Sequence, residues 1–314
     1  MLSIKKLSIL LATVLMLFPL VGIAGYERAA LIIGNQDYAI APLDTPEADA
    51  SAMADRLQHV GYQVTRLTNL RQSDFYDGVD KFFSQHKTAK VILFFYAGHA
   101  VQINGKNFLI PIDIQKESPD VLSMMFDVRY LIAKITESTA ETKLIMLDAC
   151  RDNLFSSNPN AGSGLSELLA PPGTFVAFST APGATAEDGD GDNSPYTTAL
   201  IEGLFRPKIK IEDAFKEVRR KVMRLTENMQ TPWESTSLIQ DFYVVPQGMK
   251  FAPFGSENSK GKSAKGKSVV RSISENQASG AGQDKKACSR LLTKMSMGMS
   301  PMSNEELASL VKCR

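Results

Sequence analysis

Long hydrophobic runs, internal repeats and cysteine are all scarce in this sequence of 314 residues. The longest apolar run, residues 7–21, falls short of the roughly 20 residues that a transmembrane helix needs. The absence of repeats argues against solenoid and propeller architectures. What is present is ordinary globular composition, with 44% hydrophobic and 22% charged residues, and the length suits one large domain with appendages.

The N-terminus has the three regions of a secretory signal peptide. Lys5 and Lys6 precede the apolar run, and the small residues Gly22-Ile23-Ala24 follow it. We therefore predict a signal peptide over residues 1–24, cleaved after Ala24, and an exported protein, periplasmic or secreted, with no stable membrane anchor. A retained anchor is the alternative. No cysteine lies near the cleavage point, which argues against a lipoprotein.

Charge is distributed unevenly along the rest of the chain. Residues 25–246 hold 21 Lys and Arg against 29 Asp and Glu, a net charge of −8, whereas residues 247–314 hold 12 against 5, or +7. An acidic main domain argues against nucleic acid as its ligand and favours a cationic substrate. Ordinary solubilising surface charge is the alternative explanation.

Apolar strands alternate with amphipathic helices throughout the main domain. The pattern predicts strands at 29–34, 62–67, 90–96, 143–148 and 174–178, and helices at 47–59, 74–85, 126–136, 194–204 and 211–228. Asn104-Gly105 adds a hairpin turn. Because continuously apolar strands are covered on both faces, we predict an α/β fold around a mostly parallel sheet.

The composition changes after Pro246, where we place the end of the main domain, residues 25–246. Residues 247–286 are rich in Gly, Ser and Lys and have little apolar surface to bury. Such a segment cannot offset the entropy of ordering its backbone, which predicts a flexible basic linker.

Apolar spacing returns in residues 287–314, where Ser303 and Glu306 form a capping-box pattern at the start of a helix. A unit this small needs a covalent staple, and an exported protein can form one. We predict a helical hairpin closed by a disulfide between Cys288 and Cys313. That pairing leaves Cys150 as the single free thiol.

Two residues suited to nucleophilic catalysis follow two of the predicted strands, His99 after strand 90–96 and Cys150 after strand 143–148. Ligands of parallel sheets bind beyond the carboxyl ends of the strands, so both residues are expected at one edge. An imidazole beside a thiol makes it a better nucleophile at neutral pH. The alternative is an inert buried cysteine and a polar loop histidine, but an idle free thiol is unusual in an exported protein.

Several ordered motifs resemble those of the caspase-like cysteine peptidases, and most closely the bacterial paracaspase and metacaspase relatives called orthocaspases. The resemblance spans residues 28–245 and implies a caspase-like three-layer fold. His99 precedes Cys150 by 51 residues, a spacing similar to that of caspases, although LDACRD differs from the caspase context. The motifs are residues 29–35 with Tyr38, Phe95-Tyr96-Ala97-Gly98-His99, 109–113, Leu147-Asp148-Ala149-Cys150-Arg151, 179–183 and 193–197.

The resemblance implies an endopeptidase with a Cys–His dyad. Cys150 would attack the scissile carbonyl, and His99 would protonate the leaving amine and then activate water. The backbone N–H groups of Cys150 and Ala100 would stabilise the oxyanion. The family usually has His-Gly where this chain has His99-Ala100. The added methyl limits backbone freedom, so a catalytically weak pseudo-peptidase that acts as a binding or scaffold module is the alternative function.

Acidic residues indicate the substrate that the resemblance implies, a peptide or protein with a basic residue before the scissile bond (P1). Asp148 corresponds to the family's pocket aspartate, and Asp49 corresponds to a second acidic position. Glu187 or Asp188 would supply a third substrate-binding carboxylate. A buried carboxylate without a cation is costly, so Arg or Lys is the natural partner.

The acidic stretch at 187–193 also invites a calcium site, because it offers carboxylates at alternate positions. Its glycines do not fall where an EF-hand needs them, and the twelfth position from Asp188 is Ala199 rather than glutamate. A flexible loop beside the substrate is the favoured interpretation, and no metal or other cofactor is required. Activation by calcium is the alternative, because some of the metacaspases that this chain resembles are similar to calcium-activated enzymes.

Overall fold

A computed structural model describes residues 28–149, 155, 160–162, 164–184, 186, 189 and 191–248. The predicted signal peptide, nearly all of the linker and the hairpin with Cys288 and Cys313 lie outside this set. No helix among the described residues is both long enough and apolar enough to cross a membrane.

Ten strands and five α-helices make up the described chain. In chain order they are β1 (Arg28–Gly34), α1 (Pro46–His59), β2 (Gln63–Thr68), α2 (Gln72–Gln85), β3 (Val91–Ala97), β4 (Ala100–Ile103), β5 (Lys106–Leu109), β6 (Phe126–Asp127), α3 (Val128–Glu137), β7 (Thr142–Asp148), β8 (Ala161–Gly162), β9 (Thr174–Phe178), α4 (Pro195–Leu204), α5 (Ile211–Leu225) and β10 (Trp233–Thr236). A short 3-10 helix, Val121–Met124, precedes β6.

The central sheet has the strand order β10-β9-β7-β3-β1-β2. All strand pairs in it are parallel except β10 with β9. Every residue of β3 is buried, which matches its continuous apolar sequence VILFFYA. The prediction of an α/β fold with a mostly parallel sheet is therefore confirmed.

Helices cover both faces of this sheet because side chains alternate along each strand. One core cluster joins Ala30, Ile32 and Phe95 to helices α1, α4 and α5. The other joins Leu31 and Phe94, one position along in each strand, to α2 and α3. Helix α5 buries Ile211, Ala214, Phe215, Val218 and Val222, a single stripe at helical spacing, and each fully buried large side chain contributes roughly 1.5–3 kcal/mol.

A second, four-stranded sheet has the order β6-β5-β4-β8 and lies beyond the carboxyl end of β3. Its core is a third apolar cluster that includes Tyr38, Val101 and Phe108. Asn104 and Gly105 form the predicted turn between β4 and β5, both with positive φ (50° and 74°). This sheet grows from the chain immediately after His99, so it supports the candidate site.

Some predicted boundaries were wrong. The helix predicted from residue 126 starts at Val128. Phe126 instead belongs to β6, where it pairs with Leu109. The side chain of Asp127 then caps the helix by accepting a hydrogen bond from the Arg129 N–H. The helix predicted to end at 228 ends at Leu225. Strands β8 and β10 were not predicted, and both are too short for a clear period-2 pattern.

Candidate active site

The two candidate catalytic positions follow strands that are neighbours in the sheet. Strands β3 and β7 pair in parallel, and Ala97 lies opposite Asp148 at their carboxyl ends. The Gly98 N–H continues the pairing with a bond to the Asp148 carbonyl (3.2 Å). His99 is two residues beyond Ala97, and Cys150 is two residues beyond Asp148. Cys150 itself lies outside the described residues.

The residue before Cys150 is held by a buried polar chain. Ala149 is buried, and its carbonyl accepts a hydrogen bond from the Ser179 hydroxyl (3.0 Å). The Ser179 carbonyl in turn accepts from the Gln230 side-chain amide (2.6 Å). Since Ser179 follows β9 directly, the end of β9 fixes Ala149, the residue that precedes Cys150 in the chain.

His99 is almost fully buried, with 4% of its surface exposed, and its ring has a defined anchor. Nε2 lies 2.8 Å from the carbonyl oxygen of Ala41. A carbonyl can only accept, so Nε2 carries the hydrogen, and in the neutral imidazole Nδ1 is then the unprotonated nitrogen. The anchor therefore makes Nδ1 the basic nitrogen of the neutral ring.

Ala41 adopts a left-handed conformation, with a φ of 54°. For a residue with a Cβ this conformation costs on the order of 1 kcal/mol or more, and such strain is concentrated at functional sites. The conformation is compatible with the bond between the Ala41 carbonyl and the His99 ring. No sequence signal marks this role, because any residue carries a carbonyl.

Ala100 begins β4 and lies opposite Leu109. The neighbouring pair, His99 and Ile110, is hydrogen-bonded, since the Ile110 N–H donates to the His99 carbonyl (3.0 Å). Hydrogen-bonded and non-hydrogen-bonded pairs alternate between antiparallel strands, so Ala100 and Leu109 form a non-hydrogen-bonded pair. The Ala100 N–H therefore points away from β5. Its methyl packs into the apolar cluster under α2 and α3. Side chains stand roughly perpendicular to a sheet, whereas the N–H groups lie in the plane of the sheet. The methyl that replaces the usual glycine hydrogen therefore does not cover the Ala100 N–H.

Asp148, the last residue of β7, is buried, with 1% exposed. Its Oδ2 accepts from the hydroxyls of Ser194 and Thr197. Ser194 is also the N-cap of α4, since its Oγ accepts from the Thr197 N–H (2.9 Å). The carboxylate thus lies at the positive end of a helix, where negative charge is favoured.

Asp49, in the first turn of α1, is completely buried beside Asp148. Its Oδ1 accepts from the Ser194 N–H (3.0 Å) and the Asn193 side-chain amide (2.9 Å). Its Oδ2 has no hydrogen-bond partner among the described residues. Burial, followed by the charge of Asp148, raises the pKa of Asp49 from 3.8 to about 7, against the lowering effect of its hydrogen bonds.

The structure thus brings His99, Ala100, Asp148 and Asp49 to one edge of the sheet. Glu187 and Asp188 lie outside the described residues, so their predicted substrate contacts stay predictions. The described residues contain no group of three His, Cys, Asp or Glu side chains that could hold a metal ion. The calcium alternative needs Asp188, Asp190 and Asp192, of which only Asp192 is described, so it stays untested.

Sequence reasoning did not assign roles to Ser194 and Thr197, which hold both buried carboxylates. A signal was available, because Ser-Pro at 194–195 is the usual N-cap and first position of a helix. The contacts of Ala41, Ser179 and Gln230 had no such signal. Each of them joins segments that are far apart in the chain.

Comparison with known proteins gives a consistent result. The family model of the caspase domain (peptidase C14) matches residues 27–243. The chain is 26% identical over 126 residues to human mucosa-associated lymphoid tissue lymphoma translocation protein 1 and, to the same extent, to the mouse homolog. This match covers 40% of the chain but only 15% of either relative, so the chain spans a small part of their length.

Solved caspase structures share the fold. Caspase-1 from Spodoptera frugiperda superposes with a TM-score of 0.53 at 18% identity, over 72% of this chain and 93% of that one. The Drosophila initiator caspase Dronc gives a TM-score of 0.50 at 14% identity, over 69% and 83%. The three-layer arrangement of helices and sheet is therefore the caspase-like fold.

Proposed function

We propose that this chain, which belongs to the caspase-domain family of peptidases, is a cysteine endopeptidase that cleaves after Arg or Lys. The observation that carries this proposal is the pair of buried carboxylates, Asp49 and Asp148, at the sheet edge where β3 ends before His99 and β7 ends before Cys150. No cationic side chain of the described residues pairs with either carboxylate. A cationic substrate side chain is the natural counterion.

The reaction would proceed in two stages on the residues of this chain. His99 Nδ1 first takes the proton of the Cys150 thiol, and the resulting thiolate attacks the scissile carbonyl carbon. The negative oxygen of the tetrahedral intermediate accepts from the N–H groups of Ala100 and Cys150. His99 Nδ1 gives its proton to the departing amine, which leaves a thioester. His99 then takes a proton from water, and the resulting hydroxide attacks the thioester. The acid product leaves, and His99 returns its proton to the Cys150 thiolate.

The carboxylate pair supports a preference for Arg and Lys over Asp. A third carboxylate placed against Asp49 and Asp148 would bring three like charges together in a buried pocket. A cation instead compensates two groups whose burial is unfavourable. Asp49 Oδ2, which has no partner among the described residues, provides a free acceptor for it.

Turnover of three fluorogenic peptides that end in Arg, Lys or Asp tests the proposal. We expect cleavage of the Arg and Lys peptides and none of the Asp peptide, with loss of all activity in Cys150→Ala and His99→Ala. His59→Ala, which changes an exposed histidine, and the double variant Cys288→Ser with Cys313→Ser serve as matched controls and should keep their activity. The absence of Cys150-dependent cleavage, with or without calcium, would favour the non-catalytic binding module instead.

Asp49 makes the activity depend on pH. With a pKa of about 7, this carboxyl is protonated below neutrality and ionised above it. We expect the KM for an Arg peptide to fall as the pH rises through about 7, because the ionised carboxylate attracts the cation more strongly. In Asp49→Asn the KM should be higher and should lose this dependence. A pH profile of kcat/KM and kcat for both proteins measures the effect, and an unchanged profile in the variant would count against the assignment.

The same carboxyl should destabilise the free protein at high pH. Its pKa is raised on folding, so between about pH 4 and pH 7 the folded state binds more protons than the unfolded state, and stability declines as the pH rises. The change from 3.8 to about 7 corresponds to a few kcal/mol. Asp49→Asn should therefore be more stable than the parent at neutral pH in urea unfolding, although it binds Arg peptides less well.

A further inference from the structure

We propose that Tyr38 and Tyr96 are positioning residues that fix the two peptide groups flanking the His99 α-carbon through a closed ring of hydrogen bonds. The inference rests on the proposed role of His99 in catalysis. Tyr38 lies in the loop between β1 and α1, and Tyr96 is the last but one residue of β3. Both are buried, with 3% and 0% of their surfaces exposed.

The ring consists of four groups. The His99 N–H donates to the Tyr38 hydroxyl (2.8 Å), and the two tyrosine hydroxyls are 3.1 Å apart. The Tyr96 hydroxyl lies 2.7 Å from the His99 carbonyl oxygen. The Ile110 carbonyl oxygen is farther away, at 3.4 Å. Both carbonyls can only accept, so the Tyr96 proton is directed to a carbonyl, with His99 the nearer, and the Tyr96 oxygen is left as the acceptor for the Tyr38 hydroxyl.

The bonds therefore run in one direction, from the His99 N–H through Tyr38 and Tyr96 back to the His99 carbonyl. Hydrogen bonds aligned in this way polarise and strengthen one another. The loss of either hydroxyl breaks the same ring. We consequently expect the effects of removing the two hydroxyls to be coupled rather than independent.

Gly98 provides the space that the ring occupies. A Cβ built on Gly98 would lie 2.6 Å from the Tyr38 hydroxyl oxygen and 2.7 Å from that of Tyr96. Both hydroxyls thus occupy the volume that a side chain at this position would fill.

The two tyrosines fix different parts of the site. Tyr38 holds the His99 N–H and packs against the imidazole, with ring centroids 4.5 Å apart, and the same loop supplies the Ala41 carbonyl to Nε2. The loop thus sets the direction of the imidazole.

Tyr96 instead holds the carbonyl of the peptide that joins His99 to Ala100. That peptide is planar, and since the described residues contain no cis peptide, its C=O and N–H point in opposite directions. The Tyr96 hydroxyl and the Ile110 N–H both hold the carbonyl, so they also fix the direction of the Ala100 N–H. Tyr96 therefore orients the proposed oxyanion donor without contacting substrate.

Four variants test the proposal: Tyr38→Phe, Tyr96→Phe, the double variant, and Tyr62→Phe as the matched control. Tyr62 is a buried tyrosine in the cluster on the opposite face of the sheet. We expect each single variant at the ring to lower kcat by about ten- to hundred-fold, because misplaced catalytic groups lose about that much, while KM changes by less than about two-fold. The double variant should lose clearly less than the product of the two factors, and Tyr62→Phe should keep the parental kcat.

Hydrogen exchange of the His99 amide provides a readout that does not require turnover. It should become faster in Tyr38→Phe, which leaves the N–H without its acceptor, and stay unchanged in Tyr62→Phe. Parental kcat in a folded Tyr38→Phe, multiplicative losses in the double variant, or unchanged exchange would overturn the proposal. If the parent shows no Cys150-dependent turnover, the proposed function fails, and the exchange measurement alone decides whether the ring exists.

Discussion

Asp148→Asn should lower kcat/KM for an Arg peptide by about 10²- to 10⁴-fold, since loss of one partner of a buried charge pair costs roughly 3–5 kcal/mol. Asparagine has the shape of aspartate, and its oxygen can still accept from Ser194 and Thr197. The change therefore removes the charge and leaves the local packing in place. Steady-state kinetics with Arg, Lys and uncharged peptides measures the effect.

The matched control is Asp192→Asn, which removes an exposed carboxylate from the neighbouring loop. Solvent and salt screen that charge, so kcat/KM should change by less than about three-fold. Alkylation of Cys150 by neutral iodoacetamide should proceed at similar rates in the parent and in Asp148→Asn. An equal loss for charged and uncharged peptides would mean that Asp148 supports the site generally and does not recognise the cation.

Gly98→Ala should destabilise the protein by on the order of 3 kcal/mol and abolish turnover, because the added methyl overpacks a buried site. The methyl would meet both tyrosine hydroxyls at under 3 Å, and the φ of 151° at this position is one that side-chain-bearing residues rarely adopt. Neither tyrosine can swing into solvent, since both are buried. Chemical unfolding and peptide turnover measure the two effects.

Gly105→Ala separates steric overlap from backbone strain. Gly105 also has a positive φ (74°), but a Cβ there meets nothing within 4 Å. Its replacement should cost only about 1 kcal/mol, the penalty of the backbone conformation, and leave turnover near the parental value. If both variants lose the same stability, the space around Gly98 has no special importance.

The layers of the fold could be predicted from sequence because β1, β3, β7 and β9 contain apolar runs and the helices between the strands have apolar positions at helical spacing. The edge at which His99 emerges followed from the same rule, since parallel strands direct their carboxyl ends to one side. Strand β10 could not be predicted, because four residues that include Glu234 and Ser235 give no apolar pattern. It forms by pairing with β9, a contact between distant segments.

The acidic positions Asp148 and Asp49 could be named from the family resemblance, but their surroundings could not. The Ser194 main chain and side chain each bind one of the two carboxylates, and this depends on how α4 begins above the sheet. The ring of hydrogen bonds around Gly98 likewise joins Tyr38, in the loop after β1, to Tyr96 in β3. The spacing of a motif predicts which residues belong to the site, but their hydrogen-bond partners depend on the three-dimensional structure.

Ala100 illustrates how geometry changes an interpretation based on sequence. A methyl in place of the usual glycine suggested a crowded oxyanion site. In the structure that methyl packs into the core beneath α2 and α3, while the N–H lies in the plane of the small sheet and points away from β5. The methyl and the N–H of Ala100 therefore point in different directions.

The most direct measurement of the central claim is the intact mass and peptide map of the protein after reaction with a peptide ketone inhibitor that ends in Arg. We expect one covalent adduct, located on Cys150, that is absent from Cys150→Ala and strongly reduced in His99→Ala and Asp148→Asn. An inhibitor that ends in Asp should give no adduct. Equal labelling by both inhibitors, or an adduct on Cys288 or Cys313 with Cys150 unmodified, would contradict it.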